Sequence, residues 1–179
     1  GDAEMGNKAA KVVRLASLGA EGGGGESLFW SIHDQGAGGN GNVLKELVEP
    51  CGADISYGAL RSVNMSGDGA AAATTAAAAG AELTPLELWS AEYQENYGAL
   101  VEPAKLPALL ALGARERCPV TVVGTTTDTG CIRLVRDGGA GSDAAIVDLP
   151  LRDILHAPRR TYAYEHASAS AGDAPSDDD

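Results

Sequence analysis

The stretch Ile32–Leu47, IHDQGAGGNGNVLKEL, follows directly on the apolar run Ser27–Ile32 (SLFWSI), which has the length of a strand. It places an acid, Asp34, at the mouth of that strand, then the small residues Gly36, Ala37, Gly38, Gly39 and Gly41, and then an amphipathic segment, Asn42–Pro50, that reads as a short helix stopped by Pro50. Strand, glycine loop and helix in that order make an α/β unit, and the rest of the chain is read outward from it.

Upstream, Met5, Ala9, Val12, Val13 and Ala16 recur at three- and four-residue intervals, which predicts a helix from Asp2 to about Gly19. AEGGGGE (20–26) is a connector. Downstream, ADISY (53–57) predicts a strand, and residues 66–81, almost all Ala, Gly and Thr, are a low-complexity insertion with too little side-chain surface to specify packing. Thr84-Pro85-Leu86-Glu87 is a capping box with Pro at the first helical position, so that LELWSAEYQE (86–95) is expected to be helical at least in part. YGALVE (97–102) predicts a strand and KLPALLALGARER (105–117) a helix with Pro107 in its first turn. PVTVVGTT (119–126) and GCIRLVRD (130–137) are expected to form a hairpin through TDTG, followed by a strand and a short helix in AAIVDLPLRDIL (144–155). The tail 166–179 lacks periodicity, ends in acids and is expected to be disordered. The order predicts an α/β or α+β fold with a mixed sheet of about four to six strands and helices layered on it, in one domain over 1–165.

The 179 residues carry 25 acidic and 13 basic side chains, a net charge of −12, which argues against a basic nucleic-acid surface. No run reaches the roughly 18 apolar residues of a membrane-spanning helix, so neither nucleic acid nor membrane is an expected partner. Cys51, Cys118 and Cys131 are odd in number and widely spaced, which predicts reduced, mostly buried thiols and no metal site built on Cys-x-x-Cys.

Chemistry is suggested at two places. Backbone amides of Gly36, Gly38 and Gly39, together with the positive end of the following helix, could hold a phosphate, and Asp34 beside them would tolerate it through a Mg²⁺ ion. Glycine loops after strands are common, so a purely structural loop stays open on composition alone. The second place is WSAEYQENY (89–97), where Glu92, Gln94 and Glu95 crowd a helix end, Glu92 and Glu95 three apart on one helical face; on spacing alone this reads more readily as a solvated terminus. His33 beside a metal-binding acid is an orienting residue more readily than a base. No Ser/His/Asp or Cys/His signature occurs.

The words SIHDQGAGGNGNVLKELVEP (31–50), LTPLELWSAEYQENYGALV (83–101), ARERCPVTVVGT (114–125) and GDAEMGNKAAKVVR (1–14) resemble, in this order, an internal region of the phosphoribosylformylglycinamidine synthases. The resemblance runs from Gly1 to Tyr162, interrupted by the Ala-rich insertion, and is to the C-terminal half of the first of two repeats related to aminoimidazole ribonucleotide synthase. It implies a layered α/β/α domain. It also implies an ATP-dependent ligase that converts formylglycinamide ribonucleotide to the amidine, with ammonia from glutamine. The substrate would be formylglycinamide ribonucleotide and ATP, the cofactor Mg²⁺, the metal ligand Asp34, and the substrate contacts Glu92, Tyr93 and Gln94. The partners would be an ATP-binding half, a second repeat and a glutaminase domain that this sequence does not contain, so the chain alone is expected to be inactive. Cytoplasm, or an organelle interior, is the expected location. The alternatives are a nucleotide-binding structural module without turnover and another ATP-dependent enzyme of the same superfamily.

Overall fold

The computed structural model describes residues 2–19, 24–65, 83–93, 95–137, 145–156 and 160–164, with backbone only for 62–65. The insertion 66–81 and the tail 166–179 lie outside the described residues.

Helix α1, Ala3–Ser17, starts where Asp2 accepts the amides of Glu4 and Met5 at 3.0 and 3.1 Å, and it buries Ala9, Val12 and Ala16 as the spacing predicted. Strand β1, Ser31–Asp34, is shorter than the apolar run before it. Leu28 is the reason: its amide donates to Ala16 O (2.9 Å) and its side chain is buried on α1, so pairing begins only at Trp30, whose amide reaches Leu100 O at 2.8 Å. Helix α2, Gly39–Leu47, begins inside the glycine loop, three residues before Asn42.

Strand β2, Ala53–Ser56, runs straight into helix α3, Tyr57–Met65, which was not anticipated. Its start is capped by Ser56, whose Oγ accepts the Ala59 amide at 3.0 Å, and by Asp137 from a distant strand end, which accepts the Ser56 hydroxyl. Helix α4, Pro85–Ser90, carries the expected box: Thr84 N–H donates to Glu87 Oε2 at 2.8 Å and Glu87 N–H to Thr84 Oγ1 at 3.3 Å. These bonds hold the Glu87 carboxyl below its ordinary value. Strand β3 is Tyr97–Leu100 and helix α5 is Leu106–Glu116, with Pro107 in its first turn. Then come β4 (Gly124–Thr126), β5 (Cys131–Val135), β6 (Ala145–Pro150) and α6 (Leu151–Leu155).

The mixed α/β class is as expected, but its strands form two sheets: an antiparallel pair β1–β3 and a four-stranded sheet in the order β4-β2-β5-β6. In the larger sheet β2 and β5 are parallel and the other pairs antiparallel. The expected β4–β5 hairpin is therefore wrong, since both strands flank β2. The TDTG stretch wraps the start of β2 instead, with Thr127 N–H on Gly52 O (2.9 Å) and Gly130 N–H on Cys51 O (2.7 Å), which leaves β4 and β5 on opposite sides.

The inward row of this sheet, Ala53, Ile55, Ile132 and Leu134, packs on α2, α3 and α4 through Leu44, Leu60 and Leu88. Each fully buried aliphatic contributes roughly 1.5–3 kcal/mol. The alternate residues face outward, and there Arg133 binds Asp54 with two bonds of 2.7 and 2.8 Å. A second core joins α1 to α5 through Val12, Ala16, Leu109 and Leu112, with Leu28 beneath. The three thiols are free, but none is buried as expected: Cys118 and Cys131 are half-buried, and Cys51 is exposed in the turn between α2 and β2.

Candidate functional site

Two segments that are 54 residues apart in sequence meet at the N-terminus of α2. Gly38 lies in the left-handed region (φ +84°) and caps the helix, and its amide donates to Glu92 Oε1 at 2.9 Å. A carboxylate at this end satisfies an otherwise unpaired amide and sits favourably against the helix dipole.

The glycines explain how the segments approach so closely. Gly39, also left-handed (φ +64°), has the carbonyls of Ser90 and Ala91 where a Cβ would stand, at 2.5 and 2.4 Å, and Gly41 has the Trp89 indole there. Above Gly36, by contrast, there is open space. The amides of Gly38 and Gly39 are engaged within the chain, Gly39 with Gly36 O at 3.3 Å. Two of the three expected phosphate donors thus close the loop instead.

A pair of buried side-chain amides lies beneath. Gln35, 2% exposed, donates from Nε2 to Asn40 Oδ1 (2.8 Å) and to Ala91 O (3.1 Å), and Asn40 Nδ2 donates to Leu88 O (2.8 Å). Gln35 Oε1 has no partner among the described residues. The backbone amide of Gln35 also holds Asn96 O at 2.9 Å.

Asp34 ends β1 opposite Tyr97 and is exposed. Glu92 is exposed and Tyr93 half-buried, and both lie beyond α4 in an extended segment. The expectation that Glu92 and Glu95 share a helical face is therefore overturned: α4 stops at Ser90, and the Leu88 and Ala91 carbonyls at its end accept from Asn40 and Gln35. Glu95 instead accepts the Asp2 amide at 2.9 Å, at the start of α1. Gln94 lies outside the described residues. His33 Nδ1 stands 4.0 Å from Glu46, on the outer side of α2.

Among the described residues no group of three His, Cys, Asp or Glu could enclose a metal ion. A shallow hollow of about 230 Å³ adjoins the loop, lined by Gly38, Asn42, Lys45 and Trp89, with Leu149 and Ile154 opposite. A wider one, about 390 Å³, lies at the far end of α5 around Cys118, whose thiol is pushed up by burial against a weaker pull from Lys8. It shares no residue with the loop. Gln35 and Asn40 were missed by sequence reasoning, although they are the long-amide and short-amide residues in a stretch otherwise made of small ones.

A family model described as "AIR synthase related protein, C-terminal domain" matches residues 1–137. The chain belongs to that family. Family members similar to it include a probable phosphoribosylformylglycinamidine synthase of Caenorhabditis elegans, 40% identical over 93% of this chain, and the phosphoribosylformylglycinamidine synthase of Homo sapiens, 41% identical over 76%. The chain spans 11% and 9% of their lengths, so it corresponds to about a tenth of each. Among solved structures, phosphoribosylformylglycinamidine synthase II of Thermotoga maritima superposes with a TM-score of 0.63 over 94% of this chain and 24% of its own, at 16% identity. The T. maritima protein has also been solved in complex with FGAR, with a TM-score of 0.63 and 17% identity. At such identities these structures show the fold, and it is the family's.

Proposed function

We propose that this chain is the part of a phosphoribosylformylglycinamidine synthase that supplies ribonucleotide contacts and a Mg²⁺ ligand to a site completed by an ATP-binding half. The observation that carries this reading is the Gly38–Glu92 bond of 2.9 Å, which joins the two words the sequence singled out. It is supported by 40% identity to a synthase across 93% of the chain, and by the FGAR, AMPPCP and ADP complexes of the T. maritima protein. A second repeat and a glutaminase domain would be the further partners.

In this reading Glu92 and Tyr93 bind formylglycinamide ribonucleotide, the carboxylate accepting from hydroxyls and the phenol donating or accepting. Gln94 is their expected companion. Fixed on Gly38, the Glu92 side chain needs no reordering when substrate arrives, which lowers the cost of binding. The open space at Gly36 lets phosphate oxygens come near the backbone, whereas Gly38 and Gly39 keep the loop shut around Glu92.

Asp34 fits a Mg²⁺ ion of one particular kind. It is a single exposed hard oxygen donor, with no neighbouring acids among the described residues that would enclose a metal, and Mg²⁺ is commonly held by one or two carboxylates together with phosphates and water. Such an ion would neutralise charge on phosphate during phosphoryl transfer. Three free thiols agree with a cytoplasmic or organelle-interior setting.

The test is Asp34→Asn in the complete protein. Amidine formation should fall on the order of a hundredfold with the thermal transition unchanged, since the exposed carboxylate supports no core contact. Undiminished turnover would remove the metal assignment.

A further inference from the structure

We propose that Gln35 and Asn40 are positioning residues, which set the Glu92–Tyr93 segment by holding the two carbonyls that lead into it. The proposal rests on the reading of that segment as a ribonucleotide contact.

Burying two neutral amides among aliphatic side chains is unfavourable unless each finds partners, and here the partners have a consequence for the backbone. Leu88 O lies in the last turn of α4 and Ala91 O just past its end, where the chain leads into Glu92 and Tyr93. Asn40 takes the first at 2.8 Å and Gln35 the second at 3.1 Å, and at Ala91 the chain turns extended (φ −65°, ψ 131°). Residue 35 then holds the far end too, because its backbone amide binds Asn96 O at 2.9 Å. Gln35 thus holds the chain at Ala91 and at Asn96, on either side of Glu92 and Tyr93. From there Glu92 reaches the Gly38 amide with one carboxylate oxygen.

The Gln35–Asn40 bond of 2.8 Å makes the two side chains act as a unit. Neither reaches the exposed face where Asp34 and Glu92 lie, since both are buried. Their effect on a substrate must therefore pass through Glu92, and that is what a mutant cycle reads.

The experiment uses the complete protein and measures KM for formylglycinamide ribonucleotide, kcat and the thermal transition for Gln35→Leu, Asn40→Asp, Glu92→Ala and the double variant Gln35→Leu/Glu92→Ala. Asn40→Asp keeps the acceptor for Gln35 and turns the donor to Leu88 O into a carboxylate oxygen, which breaks that bond; it carries the test if Gln35→Leu does not fold. The expected result is a KM raised about tenfold in each single variant, with kcat within about threefold. In the double variant KM should stay at the Glu92→Ala value. The proposal is overturned if Glu92→Ala raises KM while folded Gln35→Leu and Asn40→Asp leave it unchanged, or if the effects multiply in the double variant. If Glu92→Ala itself leaves KM unchanged, the reading of the segment as a substrate contact fails first, and that result differs from the other two.

Discussion

The four-stranded sheet and the glycine loop are built by opposite means. In the sheet, β2 and β5 alternate buried aliphatics with half-buried outward residues, and the inward row packs on helices through non-directional contact. In the loop, directional bonds decide: Gly38 to Glu92, Gln35 to Asn40 and Ala91, Asn40 to Leu88. Apolar packing tolerates a change of side chain and keeps its topology, whereas the loop's geometry depends on particular donors and on glycines that admit a second backbone within contact. On the proposed reading, the difference assigns stability to one region and ligand geometry to the other.

Changes in each region should separate along that line. Leu134→Ala, at a site with no exposure, should cost about 4 kcal/mol in thermal or denaturant unfolding, yet leave KM for the ribonucleotide unchanged in the folded protein. A large KM effect would break the division. Gly39→Ala should cost roughly 3 kcal/mol, from the positive φ and the two carbonyls at the Cβ position, and should weaken ribonucleotide binding as well. Thr84→Ala removes the cap of α4 and should cost about 1 kcal/mol at neutral pH. Because the folded Glu87 carboxyl lies below its ordinary value, its bonds to Thr84 stabilise the fold above that ordinary value and are lost as pH falls through the depressed one. The gap between wild type and Thr84→Ala should therefore narrow on acidification, and urea titrations at several pH values would show it. Smallest of all, Gly36→Ala, facing open space, should move stability by less than about 0.5 kcal/mol; a larger loss would mean that the loop is packed throughout.

The same division governs what was legible in the sequence. Helix α1, the capping box at Thr84, the entry of α5 at Pro107 and the strands β2 and β5 are written in periodicity and local caps, and the structure has them. The β4–β5 hairpin was misread because local turn residues say nothing about which strand a segment pairs with; the bonds of Thr127 and Gly130 to the start of β2 are what decide it. Residues 86–95 were expected to be helical in part, and α4 ends at Ser90; the Gln35 and Asn40 bonds at that end come from some 50 residues earlier and leave no local mark. Asp34, the glycines and the Glu92 segment were marked as a candidate site by motif, but their meeting through Gly38 was not. Gln35 and Asn40 stood out only as amide residues among small ones, because a buried amide network has no period and no spacing rule.

Hydrogen exchange of the complete protein, with and without formylglycinamide ribonucleotide, tests most directly whether the two segments form one site. The peptides covering 34–41 and 88–96 should gain protection together, at the same ligand concentration, while the peptide covering 131–135 in the sheet stays as it was. Protection of only one of the two segments, or of neither, would contradict the account.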